Sequence, residues 1–164
     1  MALRSEWTGQ ACPIARSLDV LGDPWVVLIL REVFTGNRRF DTLKAALEIA
    51  DTVLSRRLSV LVEQGLLSKE PYAGTTRKRM EYVMTDKGAD TLPVLHALGL
   101  WGRRHTTPPV AGQALRIYCM RCGEEAEHAD WCVGCAKPLT VDTTGWRRAR
   151  SPEILLELGS VGRR

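Results

Sequence analysis

Two Cys-x-x-Cys pairs close together restrict the C-terminal part of this chain more than any other feature. The first pair is Cys119 and Cys122, the second is Cys132 and Cys135, and nine residues separate them. Each pair turns two thiolates inward, so two pairs complete a tetrahedral site of four sulfur ligands. Soft thiolates in this geometry favour zinc, with iron as the second choice. Because no position is left open for water, we predict one structural zinc per chain.

Two disulfides are the alternative for these four cysteines. The chain has five cysteines, which leaves Cys12 unpaired, and no apolar stretch typical of a secretory signal follows the first residues. The longest apolar run, residues 25–30, is far shorter than the ~20 residues of a membrane helix. We therefore expect a cytoplasmic protein with no membrane segment, in which metal is favoured over disulfides. His128 lies between the pairs and is expected at the surface, not among the ligands.

The chain of 164 residues is expected to hold one main domain and a small appendix. Residues 10–104 show helical patterns and one hairpin, which predicts a mainly α fold with a small β component (α+β). Residues 105–114 contain two prolines and a glycine and are typical of a linker. A zinc ribbon over 115–141 and a tail over 142–164 follow.

The tail is predicted to contain a short helix that begins at Ser151-Pro152-Glu153. Its apolar face, formed by Ile154, Leu155 and Leu158, is expected to pack on the ribbon or on a partner chain. Arg147, Arg148 and Arg150 are expected to be solvated, with a phosphate contact as the alternative.

Capping signals and apolar periodicity predict a series of helices towards the N-terminus. A helix over residues 13–21 is expected to end at Gly22. Asp23 and Pro24 then supply the N-cap and the first position of a strongly apolar helix, which we expect in the core. A third helix begins near Phe40.

The pattern that follows is typical of a helix-turn-helix. A turn over residues 48–50 precedes a helix over 51–64, on which Leu54, Leu58 and Leu61 recur at the spacing of one buried stripe. Arginine and serine side chains on the opposite side of such a helix reach bases and phosphates in a major groove. The candidate DNA-contacting residues here are Thr52, Ser55, Arg56, Arg57 and Ser59.

A predicted hairpin and a last helix complete the order of a winged helix. Strand-like residues 66–72 and 79–85 flank a connector, and a helix is expected from residue 85 to about Trp101, kinked or split by Pro93. Cations of the hairpin are placed to contact phosphate or a minor groove, although solvated surface charges are the alternative. The further candidate DNA-contacting residues are Arg39, Arg77, Lys78 and Arg79.

Longer motifs along residues 10–103 make the chain similar to one known family. They are Cys12-Pro-Ile-Ala-Arg-Ser-Leu-Asp-Val-Leu-Gly-Asp-Pro-Trp, Gly36-Asn-Arg-Arg-Phe-Asp-Thr-Leu, Val53-Leu-Ser-Arg-Arg-Leu, Glu63-Gln-Gly-Leu-Leu, Glu81-Tyr-Val-Met-Thr-Asp-Lys-Gly and Leu92-Pro-Val-Leu-His-Ala-Leu-Gly-Leu-Trp-Gly. With these motifs, residues 10–103 resemble the HxlR-type transcriptional regulators, a winged-helix family related to the MarR regulators. The resemblance implies a homodimer, assembled through the terminal helices, that binds palindromic operators in double-stranded DNA. It maps the recognition helix onto residues 51–64 and the wing onto 72–79.

The cysteine-rich segment, residues 119–139, in turn resembles a short zinc ribbon. It departs from that pattern at Ala136, where such ribbons often have glycine. We call the turn that each Cys-x-x-Cys pair forms a knuckle: the first contains Cys119 and Cys122, the second Cys132 and Cys135. The second knuckle of such ribbons usually needs a positive φ near this position, so we expect a strained or altered turn at Ala136.

These features predict a sequence-specific DNA-binding transcriptional regulator, more specifically a repressor, and not an enzyme. The net charge of +4 permits an anionic partner without requiring one. His96 and His105 have no catalytic partner at a suitable spacing, and are expected in the core and at the surface. One alternative is a protein–protein adaptor that uses the ribbon as its docking surface.

A second alternative is a regulator that senses oxidants or electrophiles through Cys12 or the zinc thiolates. The family resemblance implies such a role for an N-terminal cysteine before proline. Cys12 precedes a helix start and Arg16 lies one turn later, and both features lower a thiol pKa. A small buried apolar role for Cys12 is nevertheless the favoured interpretation.

Overall fold

The computed structural model of the chain describes residues 6–71 and 79–158 and shows an α+β architecture. The chain divides into two compact units. The first consists of Met1–Val33 and Asn37–Thr85, and the second of Phe34–Gly36 and Asp86–Arg164. The division therefore precedes the last helix of the predicted winged-helix domain, whereas the sequence pattern suggested a break at residues 105–114.

Four helices of the first unit begin and end close to where capping signals predicted them. Asp23 caps the second helix, because its Oδ1 accepts the Trp25 N–H at 2.9 Å. The core of this unit is built by apolar side chains from the second, third and fourth helices, including Ile29, Leu43 and Leu58. The helices are α1 (Pro13–Leu21), α2 (Pro24–Phe34), α3 (Phe40–Leu47) and α4 (Asp51–Glu63).

A tight turn joins α3 to α4, as predicted for a helix-turn-helix. Glu48 ends α3 in the left-handed region at φ 52°, and Ala50 occupies the N-cap of α4. At the far end of α4, Gly65 has φ 72° and its N–H donates to the Val62 carbonyl. This closing turn suits glycine, which adopts a positive φ without a steric penalty.

An antiparallel hairpin follows, formed by β1 (Leu67–Pro71) and β2 (Met80–Met84). The hairpin is attached to the segment between α2 and α3 through the Tyr82 N–H, which donates to the Arg38 carbonyl at 2.8 Å. The predicted wing cations Arg77 and Lys78 lie outside the described residues. The hairpin strands occupy the positions that the alternating pattern predicted.

The second unit begins with two helices where the sequence predicted one kinked or split helix. They are α5 (Asp86–Ala89) and α6 (Leu92–His105). Pro93 lies in the first turn of α6, where a missing N–H costs no intrahelical hydrogen bond. The split alternative is therefore the one that the chain adopts.

A three-stranded antiparallel sheet forms the centre of the second unit, in the order β3-β6-β7. Ile117 and Trp146 are directly opposite each other in this sheet, and both are buried. The strands of the unit are β3 (Arg116–Cys119), β4 (Trp131–Cys132), β5 (Lys137–Pro138), β6 (Thr144–Arg148) and β7 (Ser151–Glu157), with a 3₁₀ turn at Val141–Thr143.

The short helix predicted from Ser151 is wrong. These residues form β7, which pairs with β6 around the two-residue turn 149–150 and places Leu156 opposite Trp146. The Ser-Pro-Glu start signal is local, whereas the backbone hydrogen bonds of β7 come from another strand. That pairing satisfies the same N–H and C=O groups that a helix would use. Of the predicted apolar face, Leu158 is buried, while Ile154 and Leu155 are exposed.

Candidate nucleic-acid interface and metal centre

Helix α4 presents a polar side to solvent and an apolar side to the core. Leu54, Leu58 and Leu61 are buried, as their spacing predicted. On the side of α4 opposite these leucines, three short hydroxyl side chains surround one arginine, and all four residues are exposed to solvent. They are Thr52, Ser55, Arg56 and Ser59.

Arg57 is held differently from its neighbour Arg56. It is half-buried, and its guanidinium Nη2 lies 2.5 Å from Oδ2 of Asp23. Asp23 is also the cap of α2, so this ion pair joins α4 to the start of α2. Arg57 thus contributes to the position of α4, while Arg56 is exposed.

Two further residues that were predicted to contact DNA lie at the start of a helix and just before a strand. Arg39 is exposed and occupies the N-cap position of α3. Arg79 is exposed and immediately precedes β2. Both arginines belong to the first unit, as α4 does.

The four cysteines of the Cys-x-x-Cys pairs come together in the second unit. Their sulfur atoms all lie within 4.8 Å of one another. The Cys119 and Cys135 sulfurs are 3.7 Å apart, and those of Cys122 and Cys132 are 3.5 Å apart. These distances exclude disulfides, whose sulfurs are about 2 Å apart. They match the edge of about 3.8 Å of a tetrahedron with metal–sulfur bonds of about 2.3 Å.

The backbone of each knuckle turns in the same way. Gly123 follows Cys122 with φ 78°, and Ala136 follows Cys135 with φ 51°. The positive φ expected at Ala136 is therefore confirmed. A side chain in this left-handed region costs about 1–2 kcal/mol, so the second knuckle carries strain that the first avoids.

Hydrogen bonds to the sulfurs separate the pKa values of the thiols. Burial raises the pKa of Cys119, but N–H groups of Arg121 and Cys122 and the contacts of Cys132 and Cys135 outweigh it, and the pKa falls to about 7. The Glu124 N–H lowers the pKa of Cys122, but Cys132, burial and Cys119 raise it to about 12. Four neighbouring thiols cannot all ionise unless a cation neutralises them, so this donor set fits a soft divalent metal.

The segment between the two knuckles is attached to α6 at two points. His96 Nδ1 lies 2.6 Å from the Ala129 carbonyl oxygen, and Arg103 forms an ion pair with Glu125. His96 was expected in the core because it lacks a catalytic partner at a suitable spacing. Its burial is confirmed, but no sequence pattern indicated the group that it binds. The partner follows only from the path of the chain after β3.

Cys12 differs from the expectation of a small buried residue. It is exposed and occupies the N-cap position of α1, because the helix begins at Pro13 and leaves the preceding side chain in solvent. His105 and His128 are exposed as predicted, and His128 is outside the cysteine cluster.

A helix-turn-helix followed by a hairpin, with a polar α4 side and a four-cysteine centre, defines a class of DNA-binding transcriptional regulator. Residues 20–109 match the HxlR-like helix-turn-helix family. This chain belongs to that family.

Relatives share more than the helix-turn-helix. An uncharacterized HTH-type transcriptional regulator of Mycobacterium tuberculosis, Rv3095, is 36% identical over 127 residues, 77% of this chain and 79% of its own length. That alignment is longer than the 109 residues up to the end of the family match. It therefore extends beyond the residues that the family model matches.

Two solved structures are similar over most of the chain. PA1607, a candidate transcription factor, is 32% identical with a TM-score of 0.69 and covers 83% of this chain and 94% of its own. PA1374 of Pseudomonas aeruginosa, another candidate transcription factor, is 38% identical with a TM-score of 0.52, covering 79% of this chain and 86% of its own. In the described part of the chain, every helix is too short or too polar to cross a membrane.

Proposed function

We propose that this regulator is a cytoplasmic, homodimeric repressor that reads a palindromic operator with α4 and holds one structural zinc per chain. The exposed polar side of α4, centred on Arg56, carries this proposal. Exposed arginine pairs bidentately with guanine, and hydroxyl side chains contact bases or phosphates. A dimer bound over a promoter excludes polymerase by steric overlap, which makes repression the simplest mode of action.

An exposed apolar side of α6 supports dimerisation. Val94, Leu98 and Trp101 recur at the spacing of one helix face, and each is exposed, Trp101 to 57%. Exposed apolar side chains that cluster on one face mark interaction sites. In the first unit, α1 exposes Ile14 and Leu18 at a spacing of four residues.

The geometry of the four sulfurs supports zinc in a structural role. All four ligand positions of a tetrahedron are filled by cysteine, so no site remains for substrate or water. A bound zinc would join β3 to β4 through Cys119 and Cys132. Its contribution would be to hold the small β segments of the second unit together.

The decisive experiment compares variants of Arg56 on DNA selected by the purified protein from random duplexes. Arg56→Ala should weaken binding to the selected duplex by about 1–3 kcal/mol and relax specificity at one position. Arg56→Lys keeps the positive charge and loses the bidentate geometry. It should therefore retain affinity for a scrambled duplex and lose the preference for the selected one.

Lys137→Ala is the matched control, because Lys137 is an exposed cation that belongs to the second unit and is not part of α4. A ratio of selected to scrambled affinity that is the same in wild type, Arg56→Ala and Arg56→Lys would show that α4 is not the reading helix. No binding to any duplex at low salt would instead favour the adaptor function.

A redox-sensing regulator is a second candidate, favoured by the exposure of Cys12 at the start of α1. The exposed position of Cys12, at the N-cap of α1, gives an oxidant access to its sulfur atom. Cys12→Ser should keep DNA binding and lose its response to a mild oxidant. An equal response in both proteins would remove Cys12 from the mechanism and direct attention to the cysteines of the metal centre.

A further inference from the structure

Thr144, the first residue of β6, carries a side-chain hydroxyl that is buried without a hydrogen-bond partner. The residue is 0% exposed, and its Oγ1 makes no hydrogen bond with any residue that the structure describes. Buried hydroxyl groups are normally paired, because an unpaired one has lost its hydrogen bonds to water without replacing them. This hydroxyl is therefore a feature that apolar packing does not explain.

The residue directly opposite Thr144 in the central sheet is Cys119, one of the four cysteines of the metal centre. The two form a non-hydrogen-bonded pair, because the Cys119 N–H donates to the Glu124 carbonyl at 2.9 Å and not to β6. The ladder bond comes from the next pair, in which the Met120 N–H donates to the Thr143 carbonyl at 2.8 Å. Non-hydrogen-bonded pairs bring their side chains closer together than hydrogen-bonded pairs do.

The hydroxyl of Thr144 and the sulfur of Cys119 belong to the same face of the sheet, because directly opposed residues share a face. The Cβ atoms of such a pair lie about 4.5–5.5 Å apart, and closer in non-hydrogen-bonded pairs. Each polar atom extends one bond from its Cβ. Both residues are buried, so bulk water does not compete for the hydroxyl. The pairing thus brings a donor without a partner next to a sulfur ligand.

The neighbouring side chains on this face offer no other acceptor. Ile117 and Leu156 are apolar. Trp146 has only an indole N–H, which it donates to His96 Nε2 at 2.9 Å. Among the paired side chains of this face, the sulfur of Cys119 is therefore the acceptor that remains.

We propose that Thr144 is a positioning residue of the metal centre, whose hydroxyl donates a hydrogen bond to the metal-bound sulfur of Cys119. This inference rests on the proposed structural metal. A metal ligand cysteine is a thiolate, and a charged acceptor strengthens the hydrogen bond, so rotation of the hydroxyl towards the sulfur is favoured. N–H groups of Arg121 and Cys122 already donate to this sulfur. The hydroxyl would add a side-chain donor, and such partners fix the orientation of a ligand.

Zinc affinity of the full chain, measured by competition with a chelator, gives the first test. Thr144→Val replaces the hydroxyl with a methyl group of similar size and should lower zinc affinity about 10-fold to 100-fold. Thr144→Ser keeps the hydroxyl and should restore most of that affinity. Thr91→Val is the matched control, because Thr91 is a buried threonine of the same unit whose hydroxyl donates to the Gly88 carbonyl at 2.6 Å. It should retain the wild-type zinc affinity.

A spectroscopic measurement separates an effect on the sulfur from a purely structural effect. In cobalt-loaded protein, the sulfur-to-cobalt charge-transfer absorption of Thr144→Val should move to longer wavelength, because a thiolate that has lost a hydrogen bond gives up electron density more easily. Thr144→Ser and Thr91→Val should keep the wild-type absorption. Wild-type protein loaded with NMR-active cadmium needs no variant to fold. In that protein the hydroxyl proton of Thr144 should exchange slowly and show scalar coupling to the metal.

The outcomes separate this proposal from the proposed metal centre. Wild-type protein that binds no metal would contradict the metal centre itself. If metal binds, but wild type and Thr144→Val share one affinity and one cobalt spectrum, only the role of Thr144 is overturned. A lower affinity with an unchanged cobalt spectrum would assign Thr144 to packing, and an absent coupling to cadmium would exclude the hydrogen bond; both results overturn the proposal.

Discussion

The indole N–H of Trp146 donates a hydrogen bond to Nε2 of His96, with 2.9 Å between the nitrogens. Both side chains are fully buried. Because Nε2 accepts, the proton of the neutral imidazole resides on Nδ1, which donates to the Ala129 carbonyl. One histidine therefore connects α6, the central sheet and the segment between the two cysteine pairs.

The neutral state of His96 makes the stability of the second unit depend on pH. Burial lowers the pKa of His96 to about 4, against a smaller opposite effect of the hydrogen bond to Ala129. The unfolded chain has the ordinary pKa of about 6.5, so it binds more protons than the folded chain between pH 4 and 6.5. Stability should be complete above pH 6.5 and fall towards pH 4, by up to about 1.4 kcal/mol per pH unit.

Chemical denaturation at a series of pH values measures this effect, and His96→Gln is the comparison. Gln has no proton to bind in this range, so its stability should change less between pH 6.5 and 4. Acid also releases metal from thiolates in both proteins, so the difference between the two profiles isolates His96. Parallel profiles would show that His96 does not titrate as the buried geometry requires.

Removal of the metal should unfold the cysteine-rich module. Structural zinc in small modules contributes on the order of 10 kcal/mol, so a strong chelator should abolish near-UV signals of the buried Trp146. Cys132→Ser should bind less than half an equivalent of zinc plus iron. Cys12→Ser, which lies outside the cluster, should retain about one equivalent.

Gly123 and Ala136 each directly follow the second cysteine of a knuckle, so exchanging glycine and alanine at these two positions should have opposite effects on stability. Ala136→Gly should stabilise the second unit by about 0.5–1 kcal/mol, because glycine relieves the strain at φ 51° but loses some of that gain to chain entropy. Gly123→Ala should destabilise the unit by about 1 kcal/mol through backbone conformation alone, since nothing lies within 4 Å of the added methyl group. Thermal unfolding of metal-loaded protein measures both, and a stabilising Gly123→Ala would contradict the strain argument.

If the apolar side of α6 forms the dimer interface, a charged side chain introduced there should change the oligomeric state. Leu98→Glu should dissociate the dimer in sedimentation experiments and weaken operator binding, because a carboxylate would be buried without a partner. Val110→Glu is the matched control, since Val110 is 55% exposed and Leu98 is 51% exposed. A Leu98→Glu protein that sediments as a dimer would place the interface elsewhere.

Local sequence signals were sufficient to predict where the helices of the first unit begin and which side of α4 is buried. Asp23 and Pro24 placed the start of α2, and Leu54, Leu58 and Leu61 identified the buried side of α4. Short-range periodicity and capping decide these features, because each depends on residues within a few turns of one another. The same signals failed at Ser151, where pairing with a neighbouring strand prevails over a helix start.

The amino-acid sequence by itself determined the family, the four-cysteine centre and the arginine that α4 exposes. Only the tertiary structure decided that His96 binds Ala129 and Trp146, that Arg57 is held by Asp23, and that Arg116 is opposite Arg147. Spacing along the chain encodes periodicity and ligand sets, because these involve nearby residues. Pairings such as His96 with Trp146 join residues far apart in sequence, and they depend on the register and path of strands that no local pattern specifies.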